Sequence, residues 1–383
     1  MALPEQHLVY LSLGSNLGNR FEHLQYALDA LFETVGHVLK VSSVYETPAF
    51  GFKGDAFLNI AVSLQTILSP KDLMAEILSI ETHLGRIRTK TKGYASRPID
   101  IDILFYEDLV IETELLTVPH PHMANRKFVL QPLLDIGAEK VHPKLNKTVT
   151  RLFQECNDDS VLDKQPKWLK NPSLQFNFKA FNYLAIEGNI GAGKTSLATK
   201  ISEDFNAKLI LERFKDNPFL PKFYEDKTRY AFPLEMSFLA DRYQQLADDI
   251  AQYDLFTDFI VSDYDVFKSL IFAQVTLQED EYKLYSKLFY MMYKELAKPD
   301  AYIYLYQNTD RLLANIKERG REYEQSIDAN YLLNINKSYL NFIKSQPQMN
   351  VKVIDISELD FVNNRADYLR VLREILSTTQ SAV

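Results

Sequence analysis

Apolar positions along the chain fall into two rhythms. In the first, short apolar or alternating runs are separated by amphipathic stretches. Val9 to Leu13 reads as a strand, and Phe21 to Phe32, with Leu24, Ala27, Leu28 and Leu31 at helical spacing, reads as a helix. Val38 to Tyr45 alternates like a strand and ends at Thr47-Pro48, and Phe57 to Leu64 is another. Ser69-Pro70 supplies a cap residue and a first-turn proline for a helix running to about Leu84. Ile99 to Phe105 is a strand, and Val129 to Leu134 begins a further short element. The order β-α-β-β-α-β predicts an α+β ferredoxin-like sandwich.

From about Asn157 to Asn182 the periodicity fails. Asp158-Asp-Ser, Lys164-Gln-Pro-Lys and Asn171-Pro-Ser mark a linker, and Trp168, Phe176 and Phe178 predict that it packs on a domain surface. After it the second rhythm begins. Strands at 184–187, 208–212, 258–263, 301–306 and 351–355 alternate with long helices, which predicts a parallel sheet with helices on both faces. The pattern divides the chain into a domain over 7–156, a linker over 157–182 and an α/β domain over 183–379.

A chain of 383 residues can bury more than one core. The net charge of −8 argues against broad binding to nucleic acid or acidic membranes, so an anionic substrate has to be held by locally gathered Arg and Lys. The single cysteine, Cys156, cannot form an internal disulfide and suits a reducing cytoplasm. The N-terminus lacks a signal-peptide pattern, and no apolar run approaches membrane-spanning length, so a soluble cytoplasmic protein is expected.

Gly188 to Thr195 read G-N-I-G-A-G-K-T, after an apolar run and before a helix-forming stretch. Three of the chain's 12 glycines (Gly188, Gly191, Gly193) fall in this octamer, the context of a phosphate-binding P-loop. Its N–H groups would surround the phosphates of ATP, with Lys194 as a point charge and the Thr195 hydroxyl as a Mg²⁺ ligand. Further on, Glu212 closes an apolar run and can take a substrate hydroxyl's proton, or be a surface glutamate. Asp263 ends another run and suits a Walker-B-like Mg²⁺ role. Lys317-Glu-Arg-Gly-Arg321 gathers cations around a glycine, as a lid on phosphates or an ordinary helix C-terminus would.

In the first half, Arg97-Pro-Ile-Asp-Ile-Asp-Ile puts Asp100 and Asp102 on one strand face. Two such carboxylates repel unless a cation sits between them, and Mg²⁺ fits because it takes few carboxylates and leaves positions for phosphates. Arg86, Arg88, Lys90, Lys92 and Arg97 form a basic cluster beside them. The spacing alone also allows an exposed polar strand with solvated lysines.

Leu11-Ser-Leu-Gly-Ser-Asn-Leu-Gly, Ser43-Val-Tyr-Glu-Thr-Pro, Phe57-Leu-Asn-Ile-Ala-Val, Gly85-Arg-Ile-Arg, Arg97-Pro-Ile-Asp-Ile-Asp-Ile and Val118-Pro-His-Pro-His-Met-Ala-Asn-Arg-Lys-Phe closely resemble 6-hydroxymethyl-7,8-dihydropterin pyrophosphokinase, across the whole first domain. In that family the pterin's hydroxymethyl oxygen attacks the β-phosphorus of ATP, releasing AMP on the way to folate. The resemblance implies Mg²⁺ on Asp100 and Asp102. Arg86 and Arg97 would neutralise the transferring phosphates with help from Arg88, and His120 and Arg126 would contact ATP. The pterin pocket would comprise Thr47, Pro48, Phe57, Asn59 and Phe128. One departure is Lys92-Gly-Tyr-Ala-Ser-Arg97 where the family usually has Trp-Gly-Pro-Arg, with Tyr94 as a replacement lid aromatic.

The second domain resembles the deoxynucleoside kinases over about 183–378, through Glu212 in Leu-Glu-Arg-Phe-Lys-Asp-Asn-Pro-Phe-Leu, Tyr224 in Phe-Tyr-Glu, Arg242 in Phe-Leu-Ala-Asp-Arg, and Arg319-Gly-Arg321 with Glu324 beyond. The family implies that Glu212 is the general base on the 5′-hydroxyl. Tyr224 and Glu324 would bind the 3′-hydroxyl, Arg242 would line the substrate site, Arg319 and Arg321 would form the lid, and helices would build a homodimer. Glu235 stands where the family usually has a base-reading glutamine. Asp263-Tyr-Asp265 stands where it has an acid–Arg–Ser triplet, so the arginine that holds the base carboxylate and phosphates is missing. The expected function is bifunctional: pterin pyrophosphorylation and deoxynucleoside 5′-phosphorylation, both with ATP and Mg²⁺. The alternative is a pyrophosphokinase fused to a catalytically weak nucleotide-binding regulatory or scaffold domain. The guanine-reading Asn-Lys-x-Asp pattern of a GTPase is absent, since Asn336-Lys-Ser-Tyr does not supply it.

Overall fold

The strand β1 (His7–Ser15) is buried along most of its length because it lies between two others, antiparallel to β4 (Phe57–Thr66) on one side and β5 (Asp100–Tyr106) on the other. The computed structural model describes residues 4–49, 54–87, 96–213, 217–252, 256–321, 324–325 and 327–380. Its chain divides into two compact units, with the boundary between Gln175 and Phe176.

In the first unit β2 (His37–Val41) and β3 (Tyr45–Thr47) both pair with β4, and β10 (Asp163–Lys164) adds to β3. The single strand expected from Val38 to Tyr45 is therefore two. Between them the Ser42 hydroxyl accepts from Ala61 N at 2.9 Å, a side chain standing in for a backbone acceptor of the ladder. The helix α1 (Arg20–Ala30), capped by Asn19, runs on through a π-helical turn over Leu31–Val35, slightly beyond the expected end. The helix α2 (Pro70–His83) begins at its Ser69 cap as expected. The element expected at Val129 is a full helix, α3 (Lys127–Gly137). With α4 (Val149–Glu155) it covers Tyr10, Ala61 and Leu104 of the sheet. Alternation along β1 puts Ser12 and Gly14 on the same face as Tyr10, past the covered part. Two short antiparallel ladders, β6 (Ile111–Glu112) with β7 (Thr117–Val118) and β8 (Val141–His142) with β9 (Lys147–Thr148), complete the unit.

The segment read as a linker is held locally. Asn171 and Ser173 donate to Val38 O, while Phe176 and Phe178 are buried in the second unit. Trp168 departs from the expectation: it is 85% exposed.

In the second unit β11 (Tyr183–Gly188), β12 (Ala207–Ile210), β13 (Phe259–Ser262), β14 (Ala301–Tyr306) and β15 (Val351–Asp355) form a sheet in the order β12-β13-β11-β14-β15, with every pair parallel. The helices are α5 (Lys194–Phe205), α6 (Leu220–Glu225), α7 (Lys227–Ala251), α8 (Phe267–Thr276), α9 (Glu279–Tyr293), α10 (Thr309–Arg319), α11 (Ala329–Ser345) and α12 (Arg365–Gln380). Ala185, Tyr302 and Tyr304 of the sheet share one buried cluster with Phe267 and Ile271 of α8 and Ile335 and Tyr339 of α11. Successive connections leave β11 in opposite directions, so a crevice opens at the carboxyl ends of the strands. The P-loop follows β11 there, and Asp263 follows β13. Glu212 does not end its strand as expected but stands two residues beyond β12.

Candidate active sites

The first site is built by register. Asn59 of β4 lies opposite Gly14 of β1, and Gly14 lies opposite Asp100 of β5, so one row crosses three strands on one face. Asp102 is opposite Ser12 in the next row. Small residues on β1 leave open space above the carboxylates, and a side chain at Gly14 would close it, since an added Cβ would stand 3.2 Å from Asn59 Oδ1. A cavity of about 350 Å³ results, lined by Thr47, Pro48, Phe57, Asn59, Arg86, Arg97, Asp100, Asp102, His120, Arg126 and Phe128. The structure thus brings together every residue singled out for this site except Arg88, which, like Lys90, Lys92 and Tyr94, lies outside the described residues.

Arg86 pairs with both Asp100 and Glu81, and Arg97 Nη1 lies 3.1 Å from Asp100 Oδ2. The Arg97 guanidinium also stands 5.6 Å from the centre of the Phe57 ring, and that of Arg126 5.8 Å from the Phe128 ring. Asn59 Nδ2 donates to Thr47 Oγ1 at 2.8 Å. Burial, followed by the nearby Arg126 charge, lowers His120 to about 4, so its imidazole is neutral at physiological pH. Burial and then the charge of Asp100 push Asp102 up to about 7. A half-buried carboxyl that is hard to ionise beside a second carboxylate fits a divalent cation. Among the described residues no cluster of three or more acidic, His or Cys side chains could hold a metal by itself.

Two residues here escaped the sequence reading. Buried Glu81 accepts from Ile101 N at 2.9 Å and steers Arg86. Asn16 accepts from Arg97 N at 2.8 Å and donates to Asp55 O and Ser96 Oγ, fixing the backbone that carries Arg97.

In the second unit Gly193, with φ +82°, ends the P-loop at the start of α5. An added Cβ there would sit 2.7 Å from Phe361, so both conformation and space require glycine. The first amides of α5 face a cleft of about 590 Å³ lined by Gly191 to Ser196, Arg319, Arg321 and Phe361. Thr195 Oγ1 bonds directly to Asp263 Oδ2, and Asp263 Oδ1 accepts from Glu212 N at 2.7 Å. Lys194 Nζ donates to Asn189 O at 2.9 Å, and burial followed by the Lys268 charge lowers it to about 8. Gly188 is the turn at the end of β11 and lines neither cavity described here.

A second cavity adjoins the cleft and holds Glu212, Tyr224, Glu235, Arg242, Asp263, Lys268, Arg319, Arg321 and Glu324. Arg242 donates to Glu212 Oε1 from Nε at 2.9 Å and Nη2 at 2.7 Å, and to Ser269 Oγ at 2.7 Å. Lys268 Nζ is 2.5 Å from Glu212 Oε2. Burial would raise the Glu212 carboxyl, but the Lys268 and Arg242 charges outweigh it and hold it well below the usual range. Arg319 and Arg321 both pair with Glu324. Burial pushes Glu235 up to about 7; its Oε1 lies 2.8 Å from the Thr276 hydroxyl, and its buried Oε2 has no hydrogen-bond partner among the described residues. Lys268 is the charged group that sequence reading missed here.

Known proteins resemble each half of the chain separately. The family model described as deoxynucleoside kinase matches residues 184–380, and that described as 7,8-dihydro-6-hydroxymethylpterin-pyrophosphokinase matches residues 10–138. Deoxyguanosine kinase of Bacillus subtilis (strain 168) is 36% identical over 197 residues, covering 50% of this chain and 95% of that protein. The 2-amino-4-hydroxy-6-hydroxymethyldihydropteridine pyrophosphokinase of Aquifex aeolicus (strain VF5) is 42% identical over 148 residues, covering 38% of this chain and 91% of that one. Folic acid synthesis protein fol1 of Pneumocystis carinii is 39% identical over 178 residues, 46% of this chain but only 24% of that protein. The chain belongs to both families, to the pterin pyrophosphokinases through its first unit and to the deoxynucleoside kinases through its second, and is a bifunctional transferase.

Proposed function

We propose that the first unit, a ferredoxin-like sandwich, transfers diphosphate from ATP to the hydroxymethyl group of a dihydropterin on the way to folate. The second unit phosphorylates the 5′-hydroxyl of a deoxynucleoside with ATP. The observation that carries this reading is the row Asn59–Gly14–Asp100, whose outer two backbone positions stand about 10 Å apart at two strand spacings, on the face that also carries Asp102. That separation suits a small heterocycle whose side arm reaches a triphosphate.

Phe57 and Phe128 would sandwich the pterin, Thr47 and Pro48 would border it, and Asn59 would read its donor–acceptor edge. Arg86 and Arg97 neutralise charge on the transferring phosphates, with Arg88 assisting, while Arg126 and the neutral His120 contact ATP. Asp100 and Asp102 would hold Mg²⁺, which when bound offsets the triphosphate charge and polarises the attacking hydroxyl.

In the second unit the amides from Gly191 to Thr195 and the Lys194 ammonium hold the triphosphate, and Thr195 and Asp263 would hold its Mg²⁺. Glu212 accepts the 5′-hydroxyl proton as that oxygen attacks the γ-phosphorus. Its lowered pKa makes it a weak base, so the proton moves late, once bond formation to phosphorus has made the hydroxyl acidic. Tyr224 and Glu324 bind the 3′-hydroxyl, and Glu235 and Arg242 border the base. Arg319 and Arg321 exchange Glu324 for the phosphates on closure. Homodimerisation through this unit is part of the reading, supported by exposed Leu284 and Met291 seven residues apart on α9. No described helix is long and apolar enough to cross a membrane.

The test is a substrate panel on the full chain with ATP and Mg²⁺. AMP release is expected with the dihydropterin alcohol, and ADP release with at least one of the four deoxynucleosides. Turnover of no deoxynucleoside would favour the regulatory or scaffold reading of the second unit.

A further inference from the structure

The side chains of the Asp263-Tyr-Asp265 triplet are turned to structural use after its first acid. Tyr264 is fully buried in the apolar cluster, and its hydroxyl has no hydrogen-bond partner among the described residues. Asp265 is also buried, and its Oδ1 accepts from Phe267 N at 2.9 Å, near the start of α8. No guanidinium therefore arises from position 264. One turn further on, at the second residue of α8, Lys268 reaches Glu212 Oε2 at 2.5 Å while only 7% exposed. Its Nζ stands 5.5 Å from the centre of the Phe272 ring. Arg242, from α7, occupies Oε1. Each carboxylate oxygen of Glu212 thus has its own cation, from a different helix.

We propose that Lys268 is the positioning residue that replaces the missing triplet arginine, holding Glu212 in line for the substrate's 5′-hydroxyl. This rests on the kinase reading given above. An ammonium is a point charge that makes one strong bond to Oε2 and leaves that oxygen's remaining lone pair available to the cavity. Lys268 also lines the same cavity as Lys194 and Thr195, so its charge lies close to the P-loop. A purely structural ion pair would need no particular geometry at Oε2, because Arg242 already compensates the buried carboxylate.

Three full-length variants test this: Lys268→Met, Lys268→Gln and Lys268→Arg, assayed for deoxynucleoside phosphorylation and thermal unfolding. Loss of the cation should lower kcat about 100-fold in both the Met and Gln variants, the scale of a mispositioned general base, with KM for ATP changed less than about threefold. Gln keeps a polar side chain and guards against a folding failure peculiar to Met. The Arg variant should recover at least about a tenth of wild-type kcat. Wild-type kcat in Met or Gln, or an Arg variant as impaired as Met, would overturn the proposal. Wild-type protein that phosphorylates none of the deoxynucleosides would instead overturn the kinase reading beneath it.

Discussion

Asn59 Nδ2 donates to Thr47 Oγ1 at 2.8 Å across the β3–β4 pair, with both side chains buried. The bond fixes the amide so that its oxygen stands over Gly14 and can accept from a ligand in the cavity. Asn59→Leu keeps the branching at Cγ but removes both the acceptor and the donor to Thr47 Oγ1. Losing a buried hydrogen-bond set of this kind costs about 1–3 kcal/mol, so KM for the dihydropterin should rise roughly 10- to 100-fold. Deoxynucleoside phosphorylation should be unchanged, and steady-state kinetics of both reactions on the same preparation check it.

Asp102 sits at about 7 because of burial and then the neighbouring Asp100 charge. Above that pH it is ionised and ready to take a cation, and below it a proton competes. Apparent Mg²⁺ affinity of the first site, with a non-hydrolysable ATP present, should therefore weaken by about tenfold per pH unit below 7. Calorimetric titration of a Lys194→Met protein at pH 5.5, 6.5 and 8 isolates this site. An affinity that does not change across the series would contradict the assignment.

Glu235 is a second carboxyl for which burial favours neutrality. Its pKa is raised from 4.5 to about 7 by burial, so folding favours its protonated form. The associated stability is fully present below pH 4.5 and is lost as pH rises through 7. Glu235→Gln stays neutral throughout. It should gain on wild type by on the order of 3 kcal/mol between pH 5 and pH 8, read from the second unit's denaturation transition.

Much of this arrangement could be read in advance because local signals agreed with the tertiary outcome. The run Ala301–Tyr306 is continuously apolar and becomes a strand buried in a parallel sheet. The glycines of the P-loop mark positive-φ positions that little else tolerates. Period-two alternation correctly put Asp100 and Asp102 on one face. What failed was set by single side chains: Ser42 interrupts a strand whose apolar alternation continues past it, and Trp168 is apolar but stays exposed. Glu81 was legible in principle, since it falls on the buried stripe of α2 with Leu73, Ile77 and Ile80. Lys268 was too, as a lysine inside the apolar run Phe267–Ala273, where burial demands a counter-charge. The partner in each case lies far along the chain, or within a loop, and only the fold reveals it.

Two separate ATP-using sites on one chain are the core of this account, and the released nucleotide distinguishes them. Full-length wild type, Asp100→Ala and Lys194→Met should each be given ATP, Mg²⁺, the dihydropterin alcohol and the four deoxynucleosides, with AMP and ADP quantified by chromatography. Wild type should release both nucleotides, Asp100→Ala only ADP, and Lys194→Met only AMP. Undiminished AMP release from Asp100→Ala, or loss of both products in either variant, would contradict it.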